Sequence, residues 1–437
     1  MRRSITGAAA AIGAFASFAA FAAEPADTIY HNGTIITIDD SRPAAEAVAV
    51  RDGRILAVGS EAEVLGTAGD GTRRVDLAGR TMLPGFVDSH GHAYLIGLQA
   101  STANLLPPPD GVGSDIPALQ KLLTDWTEQN RGAIERVGWI AGFGYDDSQL
   151  AEQRHPTRQE LDAVSTEYPV LIIHQSGHLG VANTKALELA GVTADTKDPE
   201  GGAFRREAGS NQPNGVLEEY AFFYLISKLA AQFDDTINEA LVVEGTRLAA
   251  SFGYTTVQEG RAMQTSVDAM RRVADKGGLV VDLVTYPDIL EVADIRPSMQ
   301  YTNRFRIGGA KLTIDGSPQG KTAFLSEPYF VVPEGQPADY RGYAAITEET
   351  AAEAVEKAFA NGWQLLCHAN GDAAIDQFIS AVRAARQKYP EVSNRPVLIH
   401  GQTLRKDQVA ELDELGIFPS LFPMHTFYWG DWHRESV

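Results

Sequence analysis

The chain has 437 residues, 44% of them hydrophobic, enough for a large packed domain with a satellite, which excludes global disorder. A formal net charge of −20 argues against nucleic acid or an anionic membrane surface as partner, because both select basic patches. The single cysteine, Cys367, excludes an internal disulfide.

In chain order, residues 1–23 read as an export signal. Arg2 and Arg3 precede an apolar, Ala-rich run to Phe21, and Ala22-Ala23 before Glu24 resembles a cleavage step. The expected location is periplasmic or secreted, by the general or the twin-arginine route, with no membrane attachment after removal. A retained anchor is the competing reading. Residues 27–80 follow as short alternating segments: Thr28 to Ile38, Ala47 to Val58 around an Asp52-Gly53 turn, and Arg74 to Leu77. They predict a small antiparallel sheet.

From residue 81 to 437 apolar strands alternate with helical stretches, the pattern of a parallel α/β barrel. Strands are predicted at 83–89, 254–259, 279–286, 308–314, 364–368, 397–400 and 417–422. Helices are predicted at 236–252, 347–361, 372–388 and 405–415. The stretch 93–253 is too long for one connection and is read as an inserted subdomain, with helical segments near 116–131 and 217–231 and an apolar run at 170–174. Seven strands are counted where a closed (β/α)8 barrel needs eight. With a loop-like end at Glu435-Ser436-Val437, this count predicts that the sequence is a C-terminally truncated part of a longer protein.

The chemistry starts at Leu83-Pro84-Gly85-Phe86-Val87-Asp88-Ser89-His90-Gly91-His92. On an extended strand two residues apart share a face, so both imidazoles can reach one metal ion. Taken alone, His90 and His92 are as well explained as surface histidines. Three further features end or occupy candidate strands: Leu365-Leu366-Cys367-His368, Val397-Leu398-Ile399-His400, and Lys311 within Ala310 to Asp315. Strand ends of a parallel barrel meet at one mouth, so four histidines and a lysine in that position converge. Neutral imidazoles suit zinc and its neighbours, and a divalent metal there brings bound water near neutral pKa.

These motifs resemble the amidohydrolase superfamily, and within it the amidohydrolase family 3 branch of YtcJ-like proteins and N-substituted formamide deformylases. The resemblance runs from about residue 27 to the end. It also rests on Asp52-Gly53-Arg54-Ile55, Ser176-Gly177-His178 with Asn183, Lys311 to Ser317, His368-Ala369-Asn370-Gly371-Asp372, and His400-Gly401-Gln402. It implies that His90 and His92 bind one metal, His368 and His400 a second, and that Lys311 bridges them once carboxylated; an unmodified Lys311 implies a single ion. It also places 170–174 in the insertion, and it implies a general-base aspartate on an eighth strand. No residue fills that role here, since Asp431 lies in the loop-like tail.

Around this set, His178 and Asn183 either line the substrate pocket or form a structural turn. Asp315 is expected to contact substrate or orient a histidine, and Asp88 and Asp372 to orient histidines beside the metal residues; Asp88 equally ends its strand, and Asp372 is equally a helix cap. His368 or His178 would hold the oxyanion. Glu218 and Glu219 read as a solvated helix face, with acids near the site as the alternative. The aromatic tail around Phe427, Tyr428, Trp429 and Trp432 either covers the barrel mouth or packs inside. The expected function is metal-dependent hydrolysis of a C–N bond in a small amide or formamide, with one or two zinc ions. An esterase or lactonase on the same site and a non-catalytic metal or ligand binder are the alternatives. A homodimer is left open.

Overall fold

The computed structural model describes residues 24–199, 201–333 and 336–437, so the predicted export signal at 1–23 lies outside the described residues. Two compact units are present, the first ending at Gly85 and the second spanning Phe86–Val437.

In the first unit the predicted hairpin forms. Ala47–Arg51 and Arg54–Gly59 pair antiparallel across Asp52 and Gly53, at φ of 50° and 69°, the doubly left-handed two-residue turn this dipeptide favours. Two expectations are corrected. The predicted Thr28 to Ile38 strand is cut at Asn32, whose φ of 58° turns the chain, leaving Thr28–His31 and Thr34–Ile36. The segments form two mixed sheets rather than one antiparallel sheet, because Thr28–His31 pairs parallel with Arg73–Asp76 in one and Thr34–Ile36 with Thr81–Met82 in the other. The latter pairing keeps Thr81–Met82 in this unit, so the predicted 83–89 strand shrinks to Phe86–Val87 beyond Pro84-Gly85.

The second unit is a TIM-type α/β barrel with an inserted subdomain. Its strands are β1 (Phe86–Val87), β2 (Tyr254–Ala262), β3 (Asp282–Pro287), β4 (Phe305–Ile307 and, after Gly308-Gly309, Ala310–Thr313), β5 (Leu365–Ala369), β6 (Val397–His400) and β7 (Phe418–Leu421). All neighbours pair parallel, in two four-stranded arcs that share the interrupted β4; β1 and β7 are the free edges. The N-terminal piece of β4 escaped the sequence reading, since Phe-Arg-Ile is too short to show a period.

Strand alternation sorts the core. Leu366, Val397 and Ile399 face inward with Val284 and Tyr286, while Leu365, Cys367 and Leu398 face the outer helices. Helices Gln264–Asp275, Glu348–Ala360, Asp372–Lys388 and Lys406–Leu415 cover that outer face. The helix after β1, Ala93–Ala100, crosses Asp235–Ser251 with backbones almost touching: a Cβ on Gly97 would lie 1.8 Å from Leu241 O, and one on Gly245 2.0 Å from Ala93 O. This crossing holds the segment that follows His92.

The insertion carries its own six-stranded mixed sheet, ordered Gly202–Arg206, Pro213–Glu219, Leu179–Ala182, Val170–His174, Ile140–Tyr145, Ala103–Asn104. Val170–His174 is buried at every position. The loop-like tail is corrected to a helix, His425–Ser436, anchored by buried Trp429. Among the described residues no helix is long and apolar enough to cross a membrane.

Candidate active site at the barrel mouth

A cavity of about 310 Å³ opens at the C-terminal ends of the strands. His90, His92, His178, Lys311, His368 and His400 all line it. Four histidine rings form a chain: His92 to His90 at 5.2 Å between centroids, His90 to His400 at 5.3 Å, and His400 to His368 at 4.9 Å.

His90 and His92 do not sit in a strand, as the alternation argument assumed. β1 ends at Val87, and the pair occupies the following turn, where His92 caps the next helix. Asp88 builds this turn by accepting His90 N–H at 3.2 Å and Gln258 N–H at 3.1 Å. Gly91 O accepts Gly260 N–H, and Gly260 is required: a Cβ there would meet His90 Cε1 at 2.6 Å. Gln258, fixed by Ser89 O, accepts from His90 Nδ1 at 2.7 Å. The His90 hydrogen therefore sits on Nδ1, and Nε2 keeps its lone pair, buried with no hydrogen-bond partner. This is how a ligating imidazole is oriented from behind. His92 is held more loosely, 3.5 Å from buried Glu259.

His368 lies on β5 beside Thr313 in register, and its Nε2 donates to Gly316 O at 2.9 Å, leaving Nδ1 with the lone pair. His400 is reached by strain. Strand alternation would send it outward after inward-facing Ile399, but its φ of 73° turns the ring back to the cavity. Such a non-glycine conformation costs on the order of 1–3 kcal/mol and clusters at functional sites. Burial, followed by neighbouring cations, pushes His90, His368 and His400 well below the usual imidazole range, so all three are neutral at neutral pH.

Lys311 is 2% exposed, and no carboxylate lies within ion-pair distance among the described residues. Burial lowers its amine from 10.5 to about 7. A large neutral fraction follows, the form that can be carboxylated. Neutral imidazoles, an orphaned buried nitrogen and this amine form a donor set that fits a divalent cation.

Several sequence-based assignments move. Asn183 does not line the cavity: it is fully buried, caps helix Thr184–Ala190 through Ala186 N–H, accepts Val170 N–H at 2.9 Å and donates to Ser165 and Tyr168 carbonyls. Its amide is spent on structure because helix and strand ends meet there. Asn183→Ala should cost about 2–4 kcal/mol through the lost cap and the unpaired Val170 N–H, with kcat unchanged in the folded fraction. Denaturant titration beside steady-state kinetics checks this, and a selective loss of kcat would return Asn183 to the site.

Asp315 lies behind the cavity rather than in it. It accepts Asn370, Gly371 and Phe324 N–H groups at 2.7–3.0 Å, and its nearer oxygen is 3.7 Å from His368 Nε2. Burial pushes it up to about 7 against those three donors. Asp372 starts helix Asp372–Lys388 and ties Ser326 to Arg405 rather than touching a histidine. Glu218 and Glu219 are not a solvated helix face; they end strand Pro213–Glu219 at 3% and 1% exposure. Glu219, at φ 47°, accepts His178 Nδ1–H at 2.8 Å and Thr322 Oγ1–H at 2.9 Å. In the aromatic tail, Trp429 lines the cavity, Trp432 donates to Gln319 O, and Phe427 is exposed.

Gln258, Glu259 and Arg261, all on β2, were missed. Arg261 lines the cavity with its charge balanced by Asp288 at 2.9 Å. No histidine marks β2, although Gln258-Glu259 at the end of the predicted 254–259 strand was a legible signal. Also missed was the buried trio Asp146, Asp147 and His174, the one trio among the described residues whose donor atoms all lie within 4.8 Å. Burial opposes charge on His174, but the two carboxylates outweigh it and raise the imidazole to about 9. Ser176 N lies 3.0 Å from His174 Nδ1, and Nε2 faces Asp147 Oδ1 at 3.2 Å. Ser176 Oγ, 2.9 Å from the same Nδ1, accepts His178 N–H, so the cluster braces the turn that carries His178.

Residues 73–437 match the amidohydrolase family. The chain is 29% identical over 92% of its length to Protein LONG AFTER FAR-RED 3 of Arabidopsis thaliana, covering 68% of that protein. It is 28% identical over 94% of its length to the N-substituted formamide deformylase of Arthrobacter pascens, covering 76% of it. The crystal structure of an uncharacterized metal-dependent hydrolase from Pyrococcus horikoshii matches 94% of this chain, and 77% of its own, with a TM-score of 0.69 at 23% identity, a likeness of fold. The chain belongs to the amidohydrolase family.

Proposed function

We propose that this chain is an exported hydrolase that cleaves the C–N bond of a small amide or formamide, using zinc at the barrel mouth. The observation that carries the reading is the convergence of His90, His92, His368, His400 and Lys311 on one small cavity. His90 and His92 would hold one ion and His368 and His400 a second, with Lys311 joining them once carboxylated. When bound there, a divalent cation supplies Lewis acidity towards the carbonyl and a water nucleophilic near neutral pH.

The chain's own residues do the rest. Gln258 and the Gly316 carbonyl fix which ring nitrogens of His90 and His368 offer lone pairs. Leu421, Phe422 and Trp429 give one wall of the cavity an apolar surface, while Gln175, Ser176, Gln319 and Gln402 supply neutral hydrogen-bonding groups. Arg261 is neutralised by Asp288, so no free cation other than Lys311 lines the cavity among the described residues. A small neutral acyl compound suits this lining better than a polyanion.

The test is a hydrolysis screen of zinc-loaded protein across formamides, N-acyl amino acids, esters and lactones. Release of amine from the first two classes is expected, with kcat/KM at least about 10⁴ M⁻¹ s⁻¹ for a good substrate. Turnover confined to esters or lactones would replace the C–N reading. Zinc retention without turnover of any class would favour a binding protein.

A further inference from the structure

His178 enters the cavity from the insertion, not from a barrel strand. Its ring lies 4.7 Å from that of His368. Two bonds tie it to Glu219. The Nδ1–H donates to Glu219 Oε2 at 2.8 Å, and the Glu219 N–H donates to His178 O at 2.9 Å. Glu219 is itself fixed. It is 1% exposed, its other oxygen accepts Thr322 Oγ1–H at 2.9 Å, and its backbone is held at φ 47°. A strained, buried carboxylate held by a hydroxyl indicates that the surroundings dictate its position.

This arrangement decides the tautomer of His178. A carboxylate acceptor on Nδ1 keeps the hydrogen there, so Nε2 carries a lone pair. Among the described residues no protein group bonds that nitrogen, and the side chain is 14% exposed. A fixed acceptor therefore stands in the cavity beside His368. Hydrogen-bond acceptors at a reacting centre discriminate between ligands that bring a donor and those that do not, because an acceptor left dry and unpaired is penalised.

We propose that His178 Nε2 accepts the N–H of the scissile amide, so that the enzyme selects secondary amides, formamides included, over esters and tertiary amides. The inference rests on the C–N reading above and sharpens it to a substrate class. His178 is then a specificity residue, and Glu219 a positioning residue that acts through the ring. An ester or an N,N-disubstituted amide leaves the Nε2 lone pair facing oxygen or a methyl group.

Three matched probes test it: formanilide, which has the N–H, N-methylformanilide, which lacks it, and phenyl formate, the ester. In Glu219→Gln the amide NH₂ can donate to Nδ1 and drive the ring hydrogen to Nε2, turning acceptor into donor. The formanilide-to-phenyl formate ratio of kcat/KM should fall about 10- to 100-fold, with zinc content unchanged. His178→Phe should lower the same ratio without the inversion, and Glu219→Asp should restore part of it. Calorimetry gives a second arm that needs no turnover: wild-type protein should bind formanilide more tightly than N-methylformanilide, and Glu219→Gln should lose the difference. Equal losses on amide and ester, or a binding preference that survives in Glu219→Gln, would overturn the proposal and leave a structural role. No amide turnover by wild-type protein, with the binding preference intact, would instead sink the C–N reading alone.

Discussion

His90→Ala abolishes hydrolysis, with a loss of at least about 10³-fold, and lowers bound metal while the fold persists. The expectation follows from what this ring does and does not touch. Its Nδ1 is committed to Gln258, and its Nε2 is buried without a partner. An orphaned buried nitrogen costs stability unless something fills the site, and the neutral imidazoles of His368 and His400 line the same cavity. Alanine removes the best-oriented donor and leaves Gln258, Asp88 and the turn in place. Elemental analysis, circular dichroism and kinetics on the same preparation decide it. Full activity with unchanged metal content would remove His90 from the centre.

Lys311→Met moves stability and activity in opposite directions. In metal-free protein the buried amine drops from 10.5 to about 7, chiefly through burial. A lysine whose folded pKa lies below its unfolded value costs stability. The cost is fully present below pH 7 and fades as pH rises from 7 to 10.5. At neutral pH it is on the order of 4 kcal/mol. Methionine fills a similar volume without the charge, so Tm should rise at pH 7 and the gain should shrink towards pH 10. Catalysis should be lost, because Lys311 is the one lysine that lines the cavity among the described residues. A variant that is both less stable and still active would show that Lys311 is a packing residue. This sign pattern separates a residue kept for function from one kept for the fold.

The barrel was legible where apolar runs were long and clearly stopped. Val397 to His400, Leu365 to His368 and the helix 372–388 stand where patterning puts them, because a buried parallel strand is apolar throughout and its end is marked by the first polar residue. The first strand and β4 were less legible. Pro84-Gly85 and Gly308-Gly309 cut both into pieces of a few residues, too short to carry a period. The tail helix was missed because its aromatic residues show no clear stripe, and Trp429 is placed by its bond to Asp146 across the sequence.

The site shows the same division. Residue type and strand-end position selected His90, His92, His368, His400 and Lys311, since metal chemistry needs those side chains wherever they are. Asn183 looked like a pocket residue because a cap and a ligand contact use the same amide. Glu219 looked like a solvated glutamate because the strand that buries it ends in two acids, and nothing local distinguishes a covered carboxylate from an exposed one.

By itself, then, the sequence determined the barrel class and most of the residues that gather at its mouth, because these depend on side-chain type and on hydrophobic period, both local. Tertiary structure alone decided the rest: that His400 reaches the cavity through a left-handed residue, that Gln258 sets the His90 tautomer, and that Glu219 sets that of His178. Those are matters of orientation and protonation. They are set by groups 168 and 41 residues away in the chain, brought within hydrogen-bond reach by packing that no local pattern encodes.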